Sequence, residues 1–72
     1  AFGEVLESLR EERGVTQDKL AHYLHVNRAT IAGYEEKVKE PRYETLIKLA
    51  DYFDVSIDYL VTGEENRLGI QK

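Results

Sequence analysis

Two short amphipathic segments sit almost back to back in this chain. One runs from Thr16 to Leu24 with Leu20, Ala21 and Leu24 as its apolar stripe. The other begins at Asn27 and turns Ile31 and Tyr34 inward, and only His25 and Val26 separate the two. Helices joined by so tight a turn cannot lie antiparallel. They cross steeply, and the second leaves its outer face in solvent. Thr16 and Asn27 suit the capping positions, because a short side-chain oxygen there accepts a backbone N–H of the first turn. Small Ala21 suits a close crossing, and Val26 is expected to plug the space beneath the turn. The turn needs one residue at positive φ, and His25 is of a type that tolerates it.

The rest of the chain carries the same helical period. Phe2, Val5, Leu6 and Leu9 fall at i, i+3, i+4 and i+7, which predicts a first helix ending near Gly14. Arg10 and Arg13 lie in its last turn, where cations suit the helix dipole. A charged stretch from Lys37 leads through Pro41 to Arg42. A fourth helix follows on Leu46, Leu49, Ala50 and Phe53. Ser56 caps a short fifth helix carrying Ile57, Leu60 and Val61, which stops at Gly63. No strand-type alternation, repeat or low-complexity tract interrupts this pattern. The expectation is an all-α domain of five short helices over residues 1–63, with a polar, frayed tail or linker at 64–72.

At 72 residues there is room for one small domain. The absence of cysteine excludes disulfides and thiolate metal sites and fits a cytoplasmic setting. No apolar run approaches the roughly 18 residues of a membrane span. The chain opens on Ala-Phe and has no methionine, which fits either a removed initiator methionine or a piece cut from something longer. The net charge of −4 argues at first against nucleic acid, since cations that neutralise phosphates dominate such binding. Its distribution softens the argument. Residues 10–42 hold seven basic and six acidic side chains, whereas the remainder holds three and eight. The middle is near neutral and the ends are acidic.

The steep crossing with an outward second helix is the helix-turn-helix geometry. The runs LREERGVTQDKLAHYLHVNRATIAGYE and KEPRYETLIKLADYFDVSIDYLVTGE resemble the helix-turn-helix domain of the phage repressor/Cro family, also called the xenobiotic-response-element family. The likeness extends from Leu6 to Glu64. It rests on several ordered elements: Arg10 and Arg13, the Thr16–Gln17 pair, Leu20–Ala21, Ile31 with Tyr34–Glu35, and Pro41 ahead of ETLIKLA. The resemblance implies a compact, lambda-repressor-like five-helix domain. It also implies binding to double-stranded operator DNA as a symmetric homodimer, and a transcriptional regulator, most often a repressor, in a bacterial or phage cytoplasm.

The resemblance also assigns roles. Arg28, Ala29, Thr30 and Gly33 match base-contacting positions. Arg28 offers a bidentate hydrogen bond to guanine, worth about 1–3 kcal/mol of discrimination; its other role is a phosphate contact. Ala29 offers a methyl to thymine. Thr30 either bonds a base edge or phosphate or bonds back within its own helix. Gly33 stands where the family usually carries a long polar reader. Either nothing is read there, or the bare backbone lets the helix sit deeper in the groove. Gln17 and Asn27 match phosphate contacts near helix N-termini, where backbone N–H groups also favour anions. Glu36 stands where the family often carries a phosphate donor and is expected to repel; Lys37 and Lys39 follow it and are expected to compensate as phosphate contacts. Arg42 matches an arginine that in some members enters the minor groove, the alternative being a rim pair with Glu40 or Glu44. Arg10 and Glu35 match a structural salt bridge between the first and third helices. Ile57, Tyr59, Leu60 and Val61 are expected at a dimer interface, with ordinary core packing as the alternative for the tyrosine.

Other chemistry has little support. His22 and His25 lie three apart without a third ligand of sensible spacing, so no metal is expected. No hydroxyl has an evident base partner and no glycine-rich loop precedes a helix, so neither an enzyme nor a cofactor is expected. The rival is a protein-binding module on the same fold, an antitoxin or anti-repressor, for which Glu36 and Gly33 would speak. A dimerising or sensing segment beyond RLGIQK is the remaining expectation.

Overall fold

The computed structural model describes residues 2–64. Among the described residues there are five helices and no strand: α1 (Phe2–Glu12), α2 (Gln17–Leu24), α3 (Arg28–Glu35), α4 (Tyr43–Phe53) and α5 (Ile57–Thr62). The predicted tail from residue 65 onward lies outside the described residues. No helix among them is long and apolar enough to cross a membrane.

Three helices start on side-chain caps. Thr16 Oγ1 accepts from Lys19 N at 3.0 Å, Asn27 Oδ1 from Thr30 N at 3.0 Å, and Ser56 Oγ from Tyr59 N at 2.9 Å. Each satisfies a backbone donor that the first turn leaves without a partner, an effect of about 1 kcal/mol. α4 starts differently: Arg42 holds the cap position with no side-chain hydrogen bond.

Three helices also end alike on a non-glycine residue. His25, Lys37 and Asp54 adopt left-handed backbone at φ 61°, 68° and 58°. The residue after each returns its N–H to a carbonyl five positions back: Val26 to Ala21 at 3.0 Å, Val38 to Gly33 at 2.9 Å and Val55 to Ala50 at 3.0 Å. This closure satisfies the last carbonyls and turns the chain sharply.

Every helix contributes to one core. Leu6, Leu20, Ile31, Leu49, Phe53 and Leu60 are fully buried, and among the described residues no polar or charged residue is fully buried with them. α3 packs on α1 and α2, while α5 packs on α1 and α4. α1 and α3 approach each other closely at Gly3. A Cβ on Gly3 would stand 2.6 Å from the Tyr34 carbonyl oxygen and 2.7 Å from that of Glu35, so only glycine fits there. Phe2 meets Tyr34 edge-on at 6.0 Å beside it.

Two expectations are corrected. Leu60 is 0% exposed and belongs to the monomer core, not to a dimer interface. It is the fully buried residue of a helix of only six residues, with Ile57 and Tyr59 half-buried beside it. Val26 is 37% exposed, so it covers the turn only in part, and the buried residues of α2 there are Ala21 and Leu24.

Candidate nucleic-acid interface

The N-termini of α2 and α3 come together at one edge of the molecule, and a chain of polar contacts fixes them. Arg10 on α1 donates from Nε to Glu35 Oε2 at 2.7 Å and from Nη2 to Glu35 Oε1 at 3.2 Å. It also donates from Nη1 to the Val15 carbonyl at 3.0 Å, which holds the loop entering α2. Glu35 Oε1 accepts a further bond from Gln17 Nε2 at 3.0 Å. Gln17 Oε1 in turn accepts from Arg28 Nη1 at 2.8 Å. The contacts therefore run from Val15 through Arg10, Glu35 and Gln17 to Arg28.

Burial grades along this chain. The side chains of Arg10 and Glu35 are 13% and 5% exposed, whereas that of Arg28 is 61% exposed. The forked pair is the strong, planar kind of charged hydrogen bond. It holds the Arg10 guanidinium pKa above its ordinary value, the hydrogen bond to Glu35 outweighing the opposing effect of burial. Glu35, whose charge might have opposed DNA, is turned away from the surface. Its sister Glu36 is exposed at the end of α3.

The outward residues of α3 are Arg28 and Ala29, both exposed. Arg28 Nε also lies 3.9 Å from Asp18 Oδ1, an exposed pair across the two N-termini and of little energetic weight. Its guanidinium keeps further N–H groups for a ligand. Thr30 is half-buried, and its hydroxyl donates to Asn27 Oδ1 at 2.9 Å. That proton serves the cap, so Thr30 retains only an acceptor for a base edge. The Asn27 oxygen is likewise taken by Thr30, which leaves its amide N–H groups outward.

Gly33 itself is not exposed. It is buried beneath Lys39, and a Cβ added to it would meet Lys39 Cδ at 3.1 Å and Cγ at 3.2 Å. Its carbonyl accepts from Val38 N at 2.9 Å and Lys39 N at 3.1 Å. The expectation that Gly33 itself meets a base is thus corrected: the loop after α3 lies on it. The cations of that loop differ in their ties. Lys37 Nζ reaches back to Glu4 Oε2 at 3.1 Å on α1. Lys39 and Arg42 are exposed and make no side-chain hydrogen bond or ion pair among the described residues. The rim pair of Arg42 with Glu40 or Glu44 is not formed.

The four residues assigned to a dimer interface separate. Leu60 is core, Ile57 and Tyr59 are half-buried against it, and Val61 is 46% exposed. Tyr43 and Ile47 on α4 are also exposed apolar side chains, at 70% and 46%. They are one turn apart on a shared face. Among the described residues no group of three or more potential metal ligands occurs.

One tie has no local signal in the sequence. Arg13 Nη2 donates to the Phe53 carbonyl at 2.9 Å, and its guanidinium sits 5.8 Å over the Phe53 ring. It clips the end of α1 to the end of α4 across a separation of 40 residues.

A helix-turn-helix family model matches residues 6–60. An uncharacterised HTH-type transcriptional regulator of Bacillus subtilis, YqaE, is 40% identical over 65 residues, which is 90% of this chain and 56% of that protein. The HTH-type transcriptional activator BcrR of Enterococcus faecalis is 39% identical over 64 residues, 89% of this chain and 31% of that protein. The chain thus spans about half or less of these curated relatives. Among solved structures, the P22 c2 repressor in complex with a synthetic operator superposes with a TM-score of 0.82 at 28% identity, covering 88% of this chain and 96% of that one. A family match over the whole helical core, joined to the same five-helix arrangement, places the chain in the helix-turn-helix family of the phage repressor/Cro type.

Proposed function

We propose that this chain is the sequence-specific DNA-binding part of a transcriptional regulator, acting as a repressor from the bacterial or phage cytoplasm. α3 enters the major groove with Arg28 as its principal base reader, while Gln17 and the amide of Asn27 meet flanking phosphates and Arg42 reaches the backbone or minor groove. The observation that carries this reading is the shared edge. Two helix N-termini, whose free N–H groups favour anions, converge on Gln17 and Arg28, and the part-buried Arg10–Glu35 pair holds that edge in place. The likeness to a repressor in complex with an operator supports it.

The domain acts as a homodimer, so that two copies of α3 enter successive major grooves about 34–36 Å apart. Val61, with Tyr43 and Ile47 on α4, is the apolar surface that supports this contact. The interface carries few unpaired cations. Affinity per domain is accordingly low, and dimerisation supplies much of the rest through effective concentration.

The test is selection of binding sites from random duplexes with the wild-type chain and with Arg28→Ala. A two-fold motif that loses one G·C preference per half-site in the mutant is the expected result. Absence of enrichment at low salt sinks DNA binding for this chain and favours the protein-binding alternative. A reporter placed behind the selected site then gives the sign of regulation.

A further inference from the structure

The outward face of α3 has a gap that another segment fills. Ala29 and Gly33 stand one turn apart on the same helical face. A helix that meets DNA through Arg28 and Ala29 presents position 33 to the groove next, and Gly33 has no side chain to offer. The space is nevertheless occupied. Lys39 Cβ, Cγ and Cδ lie 3.6, 3.2 and 3.1 Å from where a Cβ on Gly33 would stand. The stem of Lys39 therefore runs where a residue-33 side chain would begin. Its position is fixed from below, because the Lys39 and Val38 N–H groups both donate to the Gly33 carbonyl, at 3.1 and 2.9 Å. The left-handed Lys37, at φ 68°, reverses the chain onto the helix so that these bonds form.

The ammonium of Lys39 is exposed and makes no ion pair among the described residues, unlike that of Lys37, which Glu4 holds. A lysine stem lying on apolar or bare backbone with its charge in solvent is a common arrangement. Here the stem follows the reading helix. The missing side chain at Gly33 is what admits it: any Cβ there would press against Cγ and Cδ.

We propose that Lys39 is a base-reading residue of this domain, carried across Gly33 to supply from the loop the contact that α3 lacks. A lysine ammonium presented to the groove selects guanine through O6 and N7. The expected preference is for a G·C pair distinct from the one that Arg28 reads. The assignment rests on the DNA-binding reading above.

The experiment compares the binding sites selected from random duplexes by the wild-type chain, Lys39→Met and Gly33→Ala. Lys39→Met keeps an unbranched stem over Gly33 and removes only the charge. Gly33→Ala keeps Lys39 but crowds its seat, and it favours the helix. Thermal melts establish that each variant is folded. Both variants are expected to keep the two-fold motif and the Arg28 preference, and to lose about tenfold discrimination at one further base pair per half-site. An unchanged motif in Lys39→Met overturns the proposal. If that unchanged motif comes with uniformly weaker binding and a shallower salt dependence, Lys39 is a phosphate contact only. A preference lost in Lys39→Met but kept in Gly33→Ala overturns it as well, since the lysine would then read without its seat. Failure of the wild-type chain to enrich any site removes the DNA-binding reading itself, which is a separate outcome from a motif insensitive to Lys39.

Discussion

Around the N-termini of α2 and α3 the molecule is held by charge: Arg10, Glu35, Gln17 and Arg28 form one run of hydrogen bonds from the first helix to the exposed edge. Around α4 and α5 it is held by shape. Leu49, Phe53 and Leu60 are fully buried there, and Arg13 ties across that region by a bond to the Phe53 carbonyl. The difference separates two tasks. Apolar packing is non-directional and makes the chain compact. A forked ion pair with a shared acceptor is directional and fixes where particular side chains stand. The charged half thus sets the geometry of the site, and the apolar half supplies the stability on which that geometry depends.

The largest expected effect lies in the apolar half. Phe53→Ala removes a ring that is 0% exposed and should cost about 4 kcal/mol. That rivals the whole stability of a domain this small, so circular dichroism at 25 °C should find much of the population unfolded. The fraction that remains folded should bind the selected DNA site with wild-type affinity. A folded fraction with weakened binding would break the division between the two halves.

Next comes the charged half. Glu35→Ala leaves the part-buried Arg10 without its partner and removes one anchor of Gln17, and should cost about 2 kcal/mol in urea unfolding. The sharper comparison is the double change Arg10→Met with Glu35→Leu. Replacing a buried pair by apolar residues of similar volume often restores stability. Here it should restore the unfolding midpoint and leave DNA affinity low, because Gln17 still has no acceptor. Recovery of affinity together with stability would show that the pair serves only the fold.

The smallest effect is at the surface pair of Lys37 and Glu4. The hydrogen bond and charge of Lys37 hold the Glu4 carboxyl below the usual carboxylate range. A lowered folded value stabilises above the ordinary range, and that contribution is lost as pH falls through the folded value. Both side chains are more than half exposed, so water and salt screen the pair. Glu4→Gln should therefore leave the neutral-pH midpoint unchanged within error and slightly flatten the acid limb of a stability–pH curve. A clear loss at neutral pH and high salt would make this loop contact part of the charged framework.

What the sequence determined by itself is local. Thr16, Asn27 and Ser56 were legible as caps because an N-cap bond spans three residues. The apolar periods were legible because a helix repeats within one turn, and His25 was legible as the turn residue because few other types there accept positive φ. The likeness of the ordered motif also brought Arg10 and Glu35 together across 25 positions, which spacing alone could not do. Tertiary structure decided the remainder. Gly3 is required by the carbonyls of Tyr34 and Glu35, and Gly33 is covered by a lysine six residues on. Leu60 was expected outside and is inside, since an apolar residue on a short helix suits a partner's surface and its own core equally well until neighbours are placed. Arg13 shows the same limit, because in the sequence it is only a cation in a last turn, and its bond to Phe53 exists once α4 ends beside it. Caps and periods depend on backbone within a few residues, whereas burial and close approach depend on which distant atoms arrive, and only the packed chain specifies those.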